Sequence, residues 1–382
     1  MGDYFYDKLN KTMFYDIAVF ESTGWFCNRN FCTLFRIDLN TGEISIEADL
    51  PIHSQCEIDQ YSAIEYYKGN LIIAPKNGIW ILVYNVNSKE ITQIKFNLDK
   101  FDDANRYNLF TKIHIVNNIA YFVPGRYNAI LKLNLDTYEI GYLESWYEKL
   151  IDDVIDIRKV ISGSSVIYNK YLRIADWQSA QLIDVNLNDG NFYIEKVKEY
   201  GGVSSIYPQK DSCWVSYKNN LKVLNTKNLE EIIVNAPNMN FDSGICSVFA
   251  YKDKIYIFPV VGNMVISIDL KNGIQEEFIH LPNKASKEME SVFFTKSNFI
   301  CVKEVKEGLL IACSLFESKI YIIDLNKEKY KVFSSVLSNE METFIHKKIR
   351  GYYHSVYEIE KSDKDLKNWL YAIKNIECND NL

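Results

Sequence analysis

A chain of 382 residues in which 47% are hydrophobic and 24% charged holds ample apolar material for a packed core, which excludes a largely disordered protein. Its net charge of −7 supplies no general field for collecting phosphates, and 16 Gly with 7 Pro excludes collagen-like and low-complexity architectures. An aromatic share of 14%, with 27 Tyr and 21 Phe, favours strands, on whose pleated surface broad side chains pack.

At the amino terminus, Met1–Lys8 has no basic segment leading into an apolar run. No later stretch reaches the roughly 18 consecutive apolar residues of a membrane span. The expectation is a cytoplasmic protein that makes no membrane contact. Eight cysteines, without C-x-x-C spacing and mostly inside apolar runs, fit small hydrophobes in a reducing compartment. Cys27 and Cys32 flank one loop, the nearest approach to a bridge or half a metal site, with no second pair beside them. No metal ion or other cofactor is expected.

From Cys27 onward one segment recurs: an apolar run, a short polar loop, a second apolar run, then Asp or Asn and one more residue, usually apolar. The copies are Cys27–Leu39, Ala74–Val86, Val123–Leu135, Ala175–Leu187, Val215–Thr226, Phe258–Leu270 and Cys313–Leu325. The Asp or Asn marker falls at Asp38, Asn85, Asn134, Asn186, Asn225, Asp269 and Asp324, with successive separations of 47, 49, 52, 39, 44 and 55 residues. A fixed inner spacing inside a drifting outer one marks a structural repeat rather than chance.

The third copy shows the unit most clearly. A strand at Phe110–Val116 turns at Asn117–Asn118 into a second at Ile119–Val123. After the loop Pro124–Asn128 come a strand at Ala129–Leu135, a turn at Asp136–Thr137 and a last strand near Tyr138–Leu143. Turns of Asn, Asp, Thr, Lys and Gly recur at 40–42, 188–190 and 271–273, where hairpins need positive φ. Seven sets of four short antiparallel strands predict an all-β fold, a seven-bladed β-propeller over residues 14–336. Wide aromatic side chains then fill the spaces between sheets that stand face to face around an axis. In the extension, 337–382, Leu366, Trp369, Leu370, Ile373 and Ile376 follow helical spacing behind a Ser362–Asp365 capping pair. A short amphipathic helix is predicted over 362–376, packed on the rim or offered to a partner.

Segments such as Ile255–Pro259 and Val265–Gly273 resemble the β-propeller repeat superfamily, with YVTN-type and kelch-like blades nearest in pattern. The resemblance covers roughly 14–336 and implies architecture alone. The Gly-His and Trp-Asp pairs of WD40 blades are missing, as is the kelch Gly-Gly doublet, and propellers host lyases, hydrolases and scaffolds alike.

In this architecture the loops between second and third strands share one end with the links between blades, and ligands are expected where such loops converge. Read in register, the loops offer Arg29, Lys76, Arg126 with Tyr127, Asp176 with Trp177, Tyr217 with Lys218, and Glu317. Four cations against two carboxylates make this set net positive within a net negative chain. Arg holds carboxylate or phosphate in a fork and aromatic rings stack on a sugar. The expected function is a binding or scaffold protein whose loop-rich face holds a small anionic or sugar-like ligand, a peptide or a partner protein, without general nucleic-acid binding. The alternative is a propeller lyase or hydrolase. For that role His114, in the first strand of blade three, is the leading acid/base, with His53 and Glu57 in the link between blades one and two. A lone His in a strand is more often a hydrogen-bonded structural residue, so the alternative requires a carboxylate within reach of His114.

Overall fold

The Asp or Asn marker of each repeat ends a strand and caps the turn behind it. In the computed structural model, Asp38 Oδ1 accepts the amides of Asn40 and Thr41 at 2.7 and 3.0 Å, and Asn134 Oδ1 those of Asp136 and Thr137 at 2.9 and 3.2 Å. Asn85, Asn186, Asn225, Asp269 and Asp324 each hold at least one turn amide in the same way. At a tight reversal these donors have no strand partner, and a short Asx side chain satisfies them locally. That is why the marker type is retained while its neighbours vary.

The structure describes residues 14–28, 32–51, 60–99, 108–147, 162–168, 170–176, 181–197, 202–209, 212–217, 222–234, 245–259, 264–281, 299–314, 319–334, 338–341 and 343–344. The helix predicted over 362–376 lies outside the described residues. Among those described, 28 strands form seven four-stranded antiparallel sheets, and every sheet consists of four consecutive strands. The fold is a seven-bladed β-propeller. In blade three the strands are Phe110–Val116, Ile119–Pro124, Ile130–Asn134 and Ile140–Leu143, close to the bounds read from the repeat.

The first strands of the blades, from Ala18–Phe20 through Tyr61–Tyr67 and Phe110–Val116 to Phe299–Lys306, neighbour one another in succession and so line the axis. In six of them the ladder slips by one residue near the start, at Ser62, Thr111, Gly163, Ser204, Cys246 and Ile300. A bulge of this kind bends the strand and re-aims a side chain, and here it recurs at the loop end of the channel. Just past the bulge, a side chain of one blade accepts a backbone amide of the next. Ser164 Oγ takes Ile206 N at 3.2 Å, Ser205 Oγ takes Val248 N at 3.2 Å, and Asp16 Oδ2, at the equivalent place in blade one, takes Ile64 N at 3.3 Å.

The core is divided into seven apolar clusters, one for each seam between neighbouring blades. At the seam of blades two and three, Phe96, Phe110, Phe122 and Tyr127 meet at ring-centroid distances of 5.0 to 5.8 Å, mostly edge to face. The ring closes where Phe14, Ile17, Phe26 and Phe35 of blade one pack on Cys301, Ile311, Cys313 and Ile320 of blade seven. Among the described residues no strand crosses that seam, and the contacts that close it there are between side chains.

Candidate functional site

At the loop end, blades two and three are clasped by backbone hydrogen bonds around Asn108 and Leu109. The Leu109 amide donates to Lys76 O at 2.7 Å, and the Asn108 amide donates to Asn77 Oδ1 at 3.0 Å. From the other side, Gly125 N donates to Leu109 O at 2.8 Å and Arg126 N donates to Asn108 O at 2.9 Å. Lys76 and Arg126, about fifty positions apart in sequence, are thereby fixed on either side of one two-residue segment. The clasp also explains the Pro-Gly-Arg order of the loop. A Cβ on Gly125 would stand 2.2 Å from the Asn108 carbonyl oxygen and 3.1 Å from the Thr111 methyl, so only glycine allows this approach.

The Lys76 side chain is 6% exposed; its ammonium donates to the Tyr15 hydroxyl at 2.8 Å and lies 4.1 Å from the centre of that ring. Blades two and three also hold polar atoms that the described residues do not satisfy. Ser62 Oγ, Thr111 Oγ1 and Arg126 Nε are shut off from solvent and have no hydrogen-bond partner among the described residues. Ser62 and Thr111 are the bulged residues of the first strands of blades two and three, and Arg126 follows Gly125. Orphaned buried donors and hydroxyls are rare and ask for a reason. Two cations and two hydroxyls at one end of adjacent blades suit a ligand rich in oxygen acceptors.

The other loop residues are placed differently. Tyr127 is fully buried at the seam of blades two and three, where its hydroxyl donates to Asn97 O and its ring packs on Phe96 and Phe110. Tyr217 is fully buried between blades four and five. Neither ring lies open at the loop surface for stacking. Asp176 is buried at the end of its strand. Arg29, His53, Glu57, Trp177, Lys218 and Glu317 lie outside the described residues.

Toward the axis the first strands bring together a set of charges. Lys303 Nζ lies 3.0 Å from Asp16 Oδ1 and 2.7 Å from Glu65 Oε1, and Lys112 Nζ lies 3.3 Å from Asp16 Oδ1. Blades one, two, three and seven thus share one ion network with Asp16 as its hub. Burial pushes the Asp16 carboxyl up, but Lys112 and Lys303 outweigh it and hold the group below its ordinary value. Glu65 goes the other way: burial raises it, with Lys303 opposing. Loop-by-loop reading missed this network because its members sit inside apolar strand runs. Aligning the first strands by their hairpins brings Asp16 and Lys112 to one level of the channel and Glu65, His114 and Lys303 to the next.

His114 faces the same channel, with Nε2 2.9 Å from Ser165 Oγ of blade four. Burial, followed by the nearby Lys112 and Lys303, lowers its pKa to about 3, so the imidazole is neutral throughout the physiological range. A proton shuttle wants a pKa near the working pH. The hydrogen-bond partner found for this ring is a hydroxyl rather than a carboxylate. Cys27 and Cys32 are buried free thiols, and burial, then the neighbouring Cys32, pushes the Cys27 thiol up, away from the thiolate a metal needs. Among the described residues no cluster of His, Cys, Asp or Glu is arranged to hold a metal ion, and no helix is long and apolar enough to cross a membrane.

No family model matches this chain, and no curated protein sequence matches it. Solved structures match its fold. The structure of YCF48 bound to D1 peptide is 9% identical over 79% of this chain and 89% of that one, with a TM-score of 0.55. A chain of the mitotic checkpoint complex is 8% identical over 84% of this chain and 86% of that one, with a TM-score of 0.53. PorZ, a bacterial surface component of the type-IX secretion system of Porphyromonas gingivalis, is 14% identical over 86% of this chain but only 38% of its own, with a TM-score of 0.53. At these identities the likeness is one of fold alone.

Proposed function

We propose that this propeller is a binding protein whose loop-rich end receives an anionic or strongly polar group of a small ligand, a peptide or a partner protein at blades two and three. The observation that carries this reading is the group of unsatisfied buried atoms, Ser62 Oγ, Thr111 Oγ1 and Arg126 Nε, beside the clasp that fixes Lys76 and Arg126. An incoming carboxylate, phosphate or sugar acid supplies the acceptors these donors lack, in a site already desolvated and therefore strong for charge-assisted hydrogen bonds. Two of the matching structures support the general role: one is a complex with a peptide and the other is a multi-protein assembly. A cytoplasmic location belongs to the same reading, motivated by the six free cysteines among the described residues.

Thermal-shift measurements with a panel of carboxylates, phosphates and sugar acids test the site. At least one member is expected to raise the melting temperature of the wild-type chain, and Arg126→Ala or Lys76→Ala is expected to abolish that rise. A panel without effect, or equal shifts in the variants, would remove this site from the function.

A further inference from the structure

The end of the ring opposite the loops carries a cleft. Hairpin turns of blades five, six and seven frame a cavity of about 670 Å³, within the size range of small-ligand pockets. Its apolar lining comes from Pro208, Ala250 and the rings of Tyr207 and Tyr251. Tyr207 donates its hydroxyl to Glu304 Oε2 at 2.9 Å and Tyr251 donates to Asn326 Oδ1, so neither offers a ligand a donor.

Four charged side chains line the same space. Asp253 is matched by Lys271 at 2.6 Å, and Lys227 has interactions of its own, so neither counts toward a ligand. Lys252 and Glu307 remain, and neither has an ion pair among the described residues. They come from different blades yet stand beside one ring. Lys252 Nζ lies 5.1 Å from the centre of Tyr251. Gly308, next to Glu307, packs so closely on that ring that a Cβ there would stand 2.9 Å from two of its carbons. The cleft is therefore neutral as a whole, with one cation and one anion unanswered. Both are exposed, so each contact is weak alone and selection requires the two together.

Two polar side chains of blade five are half used in the same lining. Gln209 Oε1 accepts Trp214 Nε1 at 2.6 Å, which leaves its amide nitrogen as a donor. Ser212 donates its hydroxyl to Gln209 O at 3.1 Å, which leaves its oxygen as an acceptor. A carboxylate takes up the spare donor and an ammonium the spare acceptor, so the neutral groups repeat the demand of the charged ones.

We infer that this cleft is a second binding site, for a small zwitterion: a free amino acid or a dipeptide with an apolar side chain. Its carboxylate answers Lys252, its ammonium answers Glu307, and its side chain lies against the tyrosine rings. Gln209 and Ser212 supplement the two charges. The site is independent of the loop end.

Titration calorimetry of the full chain with the standard L-amino acids and with the dipeptides Gly-Leu, Leu-Gly, Gly-Tyr and Tyr-Gly tests the inference. At least one member is expected to bind, and whether amino acids or only dipeptides bind fixes the length of the ligand. Its N-acetylated and its C-amidated forms, each lacking one charge, are expected to bind about threefold to tenfold more weakly. Lys252→Ala and Glu307→Gln are each expected to lose affinity to the same degree, while Arg126→Ala binds as the wild type does. Both residues lie exposed in turns, and unchanged unfolding midpoints verify the fold of the variants. No binding by any member, blocked forms that bind as tightly as free ones, or wild-type affinity in either charge variant would overturn the inference. A loss confined to Arg126→Ala would also overturn it and move the ligand to the loop end.

Discussion

In all seven blades the turn between third and fourth strands places one residue in the left-handed region: Gly42, Lys89, Tyr138, Gly190, Leu229, Gly273 and Glu328, with φ between 50° and 78°. Glycine enters that region freely, whereas an L side chain costs about 1 to 2 kcal/mol there. Tyr138→Gly is therefore expected to raise the stability of the fold by about 0.5 to 1 kcal/mol after the entropy cost of glycine, read as a higher midpoint in urea unfolding. A lower midpoint would show that the ring of Tyr138 contributes more than its backbone loses. The Asx marker in front of this position was legible as a periodic residue. Its partner position was not, because only three of the seven carry the glycine that announces positive φ.

His114 sets a second expectation at this scale. With a folded pKa of about 3 against an ordinary 6.5, the unfolded chain takes up a proton that the folded chain refuses. The stability from the neutral ring is complete above about pH 6.5 and is lost progressively as the pH falls toward about 3. His114→Gln keeps a hydrogen-bonding group for Ser165 and does not titrate. Its melting temperature is expected to fall less between about pH 7 and about pH 5 than that of the wild type. An equal fall would assign the acid response to other groups.

At the scale of the strand, the recurrent unit is a bulge followed by a side chain that takes an amide of the next blade. Ser205→Ala removes the acceptor of the buried Val248 amide, and the expected loss is about 1 to 2 kcal/mol. Amide hydrogen exchange at Val248 is expected to accelerate more than exchange at Ile206, whose acceptor is Ser164. Equal protection in the variant would mean that water replaces the hydroxyl. Strand positions were readable from apolar runs bounded by turns, as blade three shows, and the loops could be set in register. The inward or outward sense of a loop ring was not readable. Tyr127 looks the same in sequence whether it covers a core or faces solvent, and the rings that enclose it come from two blades, Phe96 just behind the last strand of blade two and Phe110 in the first strand of blade three. The clasp between Lys76 and Arg126 was hidden for a related reason: the segment that joins them, Asn108–Leu109, lies in a link with no repeat of its own.

Across the whole ring, Asp16 joins blades one, two, three and seven through Lys112, Lys303 and the Ile64 amide. Its carboxylate is 2% exposed, so Asp16→Asn leaves two cations without their shared counter-charge in a poorly solvated channel. Breaking one side of a buried ion network costs about 3 kcal/mol or more, and chemical denaturation is expected to show a loss of that order. A loss below about 1 kcal/mol would indicate that Glu65 and channel water compensate. The sevenfold repeat was evident from marker spacing alone. The hub was not, since it depends on which first strands become neighbours once the ring is shut.

Because every described sheet is built from four consecutive strands, no hydrogen-bonded ladder is shared between blades among the described residues. A cut in an inter-blade link would leave each ladder whole and expose two seam faces, with the few hydrogen bonds that cross them, that can find each other again. The molecule is in this sense divisible: halves made as separate polypeptides carry complete modules, and reassembly requires burial of the two seam faces rather than insertion of a missing strand. The same property allows a blade to be gained or lost as a unit over evolutionary time, with the seam clusters deciding which neighbours fit.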